Sequence, residues 1–172
     1  MTAAEIKHLY ERKARAMRAR PGFAHASGRS TARVHAGFAC EIDCGDTTLR
    51  ADQPASEGGG GAGPTPGQLM RAGVASCLAI GYRLWSARLD IPIDEVIVEM
   101  TCELDARGQM GVDQEVPPGW QKISYTVRIV SDAPEESVRR LVETADRLSP
   151  MLGSVDRAVE RIRTLEIHRR QP

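Results

Sequence analysis

The sequence carries no net charge, few aromatic residues and no long hydrophobic run, and each shortage removes a class of function. Its 23 basic residues balance 23 acidic ones, so bulk electrostatics give no reason to expect nucleic-acid or anionic-membrane partners. Two short basic patches, Arg12 to Arg20 and His168 to Arg170, read as solvated surface. The longest apolar stretch, Val74 to Ile80, is under half of the roughly 18 residues that a membrane span needs. Met1 to Arg20 is charged throughout and lacks the apolar centre of a signal peptide. The expectation is a soluble, cytoplasmic protein.

Cysteine is sparse as well. Cys40, Cys44, Cys77 and Cys102 fall at irregular intervals, which excludes a secreted disulfide framework. Cys40 and Cys44, four residues apart on an extended chain, are separated by about 13 Å, too far for a disulfide or a shared zinc. The histidines (His8, His25, His35, His168) show no metal-ligand spacing with them, and no Ser-His-Asp or HExxH arrangement is present. Neither a cofactor nor a metal is expected.

What is there suits one domain behind a helical extension over residues 1–22. Thr2 and Glu5 form a capping box, and Ile6, Leu9, Tyr10, Lys13 and Met17 recur at helical spacing until Pro21-Gly22. From Phe23 to Asp52 the period changes. Val34, Ala36, Phe38, Cys40 and Ile42 alternate as one strand, Cys44-Gly45-Asp46 turns the chain, and Thr47 to Ala51 returns. Gln53 to Gly63 contains four consecutive glycines, yet no Gly-Lys-Ser/Thr follows, so it is a flexible loop and not a phosphate cradle.

The next helix is the most informative segment. Thr65 is an N-cap, Pro66 sits at the first helical position and Gln68 completes a capping box. Leu69 to Leu84 is apolar on nearly every face, so this helix needs cover all round: a sheet on one side and a second subunit on the other. After a connector at Asp90 to Asp94, Val96, Val98, Met100, Cys102 and Leu104 alternate as a half-buried strand. Ile123, Tyr125, Val127 and Ile129 form another. Asp132 with Glu135 caps a helix carried by Val138, Leu141, Val142 and Ala145; Ser149-Pro150 starts a short one; Thr164 to Arg169 is strand-like. The order predicts an α+β fold with antiparallel sheet.

The run from Gly61 to Leu69, continuing through Ala75-Ser76-Cys77-Leu78-Ala79, together with the Ser149-Pro150 step, resembles the signature of the OsmC/Ohr family. The resemblance covers residues 23 to 170, the OsmC-like domain being 23–172. It implies antiparallel sheets packed on a long buried helix, in an intertwined homodimer with sites at the interface. It also implies peroxide-linked thiol chemistry: a helix cysteine attacks an organic hydroperoxide, an arginine from the first hairpin stabilises its thiolate, a glutamate holds that arginine, and a second cysteine closes a disulfide. Carried onto this chain, Cys77 matches the attacking cysteine and Arg29 the arginine, with Arg33 as a rival. The glutamate position holds Gly67 and the second cysteine position holds Ser149, so an external thiol would have to complete the cycle. The alternative is a non-catalytic member that binds an apolar small molecule in the interface pocket. From periodicity alone Cys77 reads as a small buried apolar residue, Arg29 as a loop charge in water, Ser149 as an N-cap and Cys102 as core.

Overall fold

Helical and strand periods are both realised in the computed structural model, which describes residues 1–168. Helix α1 (Ala3–Ala19) starts at the predicted capping box: Thr2 Oγ1 accepts from Glu5 N, and Glu5 Oε2 from Thr2 N. Its half-buried Ile6, Leu9 and Tyr10 belong to a helix that packs on α2, the long central helix Pro66–Leu89. Lys7 also bonds Asp90, the left-handed residue that ends α2.

The strand expected over residues 34–42 is instead a hairpin. Strands β1 (Thr31–Val34) and β2 (Cys40–Asp43) pair antiparallel, Val34 opposite Cys40, around a loop in which Gly37 has φ +64°. Ala36 and Phe38 kept the apolar alternation running through that loop, which is why period alone missed the turn. Strand β3 (Thr48–Ala51) pairs with β2 after the predicted turn at Gly45. The resulting three-stranded sheet shows its apolar residues to water: Val34, Phe38 and Leu49 are all exposed, and the sheet packs broadly on no helix.

Strands β4 (Glu95–Leu104) and β5 (Trp120–Val130) form a separate antiparallel ribbon, joined through the short helix α3 (Ala106–Gln109). One face of the ribbon lies on α2 with the predicted alternation of half-buried and exposed positions from Val96 to Cys102 and along β5; Leu104, expected on the half-buried face, is exposed, because the pairing register shifts between Glu103 and Leu104. Helices α4 (Glu135–Arg147) and α5 (Pro150–Val155) complete the cover. Val74, Leu78 and Tyr82 of α2, one turn apart, meet Ala145 of α4 and the inward side chains of the ribbon; Leu141 packs with Ile91 and Ile93. Each fully buried aliphatic side chain here contributes about 1.5–3 kcal/mol. Asp146 binds this core together by accepting from the hydroxyls of Tyr82 and Tyr125, so α2, β5 and α4 share one carboxylate.

Two further expectations need correction. Asp132 does not cap α4: Pro134 is the N-cap residue and makes no side-chain bond, while Ser131 Oγ accepts from Ala133 N and donates to the Pro92 carbonyl. Thr164 to His168 is assigned to no strand, and Arg169 lies outside the described residues. Within one chain α2 packs against the ribbon, α1, α4 and α5 and is still not covered all round, in keeping with the further cover expected for it. Ile80 is 68 % exposed and Met70 49 %.

Candidate functional site

The segment joining β3 to α2 reads in sequence as a loose spacer and folds as a pinned strap. Asp52, 2 % exposed, holds it. Oδ1 accepts from Gln53 N (2.8 Å), and Oδ2 accepts from Gly60 N (3.1 Å) and Ala62 N (3.0 Å). These N–H groups, that of Ala62 first, hold the carboxyl below its ordinary range. The glycines are needed for the close approach: a Cβ on Gly59 would lie 1.9 Å from the Gln53 carbonyl oxygen, and one on Gly63 would lie 2.7 Å from that of Arg50. The strap delivers the chain to Thr65, whose Oγ1 accepts from Gln68 N while Gln68 Oε1 accepts from Thr65 N.

Cys77 stands about three turns into α2. It is a free thiol, half-buried, flanking the Val74–Leu78 stripe on the side that leads to the bare Ile80. One turn earlier, Gly73 leaves room for Met151 of α5, whose Cε would lie 3.7 Å from a Cβ there. Ser149 caps α5, accepting from Leu152 N at 3.3 Å. The element that begins at Ser149-Pro150 is therefore packed on the helix of Cys77. Ser149 itself does the work of an N-cap.

The arginines are not brought in. Arg29 is exposed in the segment before β1, and Arg33 is exposed in β1. Neither has an ion-pair partner among the described residues, and their sheet has no broad contact with α2. Arg33 borders a concavity of about 320 Å³ with His35, Cys40 and Arg50. A larger cleft, about 770 Å³, lies between α1 and the far end of α2, with Ile6, Arg83, Ser86 and Ile93 in its wall and Cys77 absent from it. Cys77 lines neither of these two cavities.

Sequence reasoning overlooked the thiol–guanidinium contact that the structure does form. Arg71 Nη1 donates to Cys102 Sγ at 3.6 Å, both residues being half-buried, and a Cβ on Gly67 would lie 3.9 Å from the same nitrogen. The available signal was that Arg71 is the only charge from Pro66 to Tyr82. A lone cation on an apolar helix needs a partner. Arg71 precedes Cys77 by about 9 Å of helix rise, which sets Cys102 at a different level of α2 from Cys77. Groups of His, Cys, Asp or Glu able to hold a metal are absent among the described residues, and no described helix is long and apolar enough to cross a membrane.

The fold is shared with known structures. An OsmC-like protein from Mycoplasma pneumoniae matches with a TM-score of 0.66 at 15% identity, covering 76% of this chain and 88% of that one. An organic hydroperoxide resistance protein OsmC from Legionella pneumophila matches at 0.55 and 20% identity, over 76% and 89% of the two chains. The organic hydroperoxide resistance protein OhrB of Bacillus subtilis matches at 0.51 and 23%, over 76% and 90%. No curated protein matches the sequence. The family model described as OsmC-like protein matches residues 58–161, from the strap through the ribbon to the end of α5 and beyond. That match spans more than half of the sequence, and the chain belongs to the OsmC-like protein family.

Proposed function

We propose that this protein reduces organic hydroperoxides with Cys77, in a one-cysteine cycle completed by an external thiol. The observation that carries the reading is the placement of a free, half-buried thiol on α2, directly after the strap, with the Ser149-Pro150 helix packed one turn away. Structural neighbours described as organic hydroperoxide resistance proteins support the choice of substrate. In the reaction the thiolate sulfur attacks one peroxide oxygen and the O–O bond breaks. The alcohol departs with a proton, and Cys77 is left as sulfenic acid. An incoming thiol displaces water to give a mixed disulfide, and a second thiol restores Cys77 and leaves as the oxidised disulfide. A nearby cation favours the attacking thiolate, and Arg33 in β1 or Arg29 just before it is assigned that role.

The site is completed in a homodimer. Ile80 and Met70 on α2, Val34, Phe38 and Leu49 on the small sheet, and Val159, Ile162 and Leu165 after α5 are all exposed in one chain. That much bare apolar surface calls for a partner, and the same surface supplies the apolar walls of a pocket over Cys77.

A second reading rests on Gly67 and Ser149, which stand where the resemblance calls for a carboxylate and a second thiol. On it, the interface pocket binds an apolar small molecule without chemistry. Consumption of cumene hydroperoxide in the presence of a monothiol or dithiol decides between the two. Turnover that disappears in Cys77→Ser is expected. Absence of turnover by folded wild type with either reductant sinks the enzyme reading in favour of the binding one.

A further inference from the structure

We propose that Asp52 is a positioning residue for Cys77, the pin that fixes the small sheet, with Arg33 in β1 and Arg29 just before it, relative to α2. The inference rests on the assignment of a hairpin arginine to Cys77. Asp52 directly follows β3, and its carboxylate gathers N–H groups from both limbs of the strap, at Gln53 and at Gly60 and Ala62. Its own backbone N donates to the carbonyl of Pro64 at 3.2 Å, next to the Thr65 cap of α2. Gly61 N donates back to Gln53 O at 3.1 Å and Gly59 N to Pro54 O at 3.1 Å. A long connection is thereby folded flat, so that the end of the sheet abuts the start of the helix.

Within one chain little else sets that geometry, since the sheet packs broadly on no other element. The angle at which the sheet leaves α2 then determines where Arg29 and Arg33 are presented. The chemistry of the pin is specific to a carboxylate, because both oxygens accept. An asparagine would turn an NH₂ group toward at least one N–H donor, with nothing to accept it.

The test follows the rate of Cys77 alkylation by iodoacetamide against pH, resolved by peptide mass spectrometry, on the full chain in its native assembly. It compares wild type, Arg29→Ala, Arg33→Ala, Asp52→Asn and the double variants. One arginine variant should slow alkylation near neutral pH by about tenfold, the effect of one unit in thiol pKa. Asp52→Asn should slow it comparably, and joining it to that arginine variant should add nothing. Folding is followed by circular dichroism. A folded Asp52→Asn that alkylates like wild type overturns the proposal, as does a double variant whose two effects multiply. If the arginine variant is slowed while Asp52→Asn is not, only the role of Asp52 falls. If neither arginine variant changes the rate, the arginine assignment falls and the role of Asp52 with it. Should Asp52→Asn not fold, Gly60→Ala loosens the same clamp, its Cβ lying 3.3 Å from Asp52 Oδ2. Its slowing is expected to be smaller, and an unchanged rate is again a refutation.

Discussion

Tyr82 donates its hydroxyl hydrogen to Asp146 at 2.6 Å, joining the second half of α2 to the last turn of α4. Tyr82 has no exposed surface, so its hydroxyl has no water to fall back on. Tyr125 reaches the other oxygen of the same carboxylate at 3.0 Å. A tyrosine inside an apolar helix is thus the polar centre of the core.

Removing that hydroxyl should weaken the fold. Tyr82→Phe loses a hydrogen bond to a charged acceptor and is expected to cost about 1.5–3 kcal/mol in urea unfolding. Tyr125→Phe, with a longer bond and a half-buried ring, should cost less. Because both act on Asp146, the double variant should deviate from the sum of the singles. Strict additivity would show that the two bonds are independent.

The same pair should govern stability in alkali. Burial, then the hydrogen bond to Asp146, raises both phenols, Tyr125 to about 12 and Tyr82 further. A raised folded value means stability that is complete below the unfolded value near 10 and is lost as pH climbs through the folded values. Wild type is therefore expected to lose stability progressively above pH ~10. Tyr82→Phe, although weaker at neutrality, should show a shallower decline; parallel alkaline limbs in the two proteins would argue against it.

The bare side of α2 makes a prediction about assembly. Ile80→Asp places a charge on a residue that is 68 % exposed in one chain, so folding of the subunit should survive. If this face is an interface, dimer dissociation measured by sedimentation should become easier by about tenfold or more. A wild-type protein that sediments as a folded monomer at micromolar concentration contradicts the dimer outright.

Peroxide treatment tests the missing second thiol. Without an external thiol, Cys77 should advance from sulfenic to sulfinic acid, because Ser149 cannot capture the intermediate. Ser149→Cys should trap it as an intramolecular disulfide, detected by peptide mapping. Cys77 that remains a free thiol through the treatment is an inert core residue. A Cys77–Cys102 disulfide would reveal a relocated partner and a large local rearrangement.

Much of this fold could be read from residue order. The capping boxes at Thr2 and Thr65, the alternation from Val96 to Cys102, and the Val138–Leu141–Ala145 stripe are local patterns, and they folded as local patterns dictate. What escaped depends on contacts between distant residues. The β1–β2 turn was hidden because Ala36 and Phe38 sustain a strand period across Gly37. The Asp52 clamp was hidden because no spacing rule ties a carboxylate to N–H groups eight and ten residues ahead. Arg71 and Cys102, thirty-one residues apart, meet only when the ribbon docks on α2. At the candidate site, Cys77 was legible from the run around it. Arg29 and Arg33 stay apart from α2 in the chain, since their placement depends on how the sheet is held.

The glycine run has a consequence for how this sequence can change. Gly58 and Gly61 hold φ of +85° and +65°, and Gly59 has no room for a Cβ. A stretch with the composition of a spacer is in fact nearly closed to neutral drift, and an epitope tag or a lengthened linker placed there would deform the entry to α2. Gly22 and Gly28, with open space around them and ordinary backbone angles, are among the glycines at which the chain can accept side chains freely.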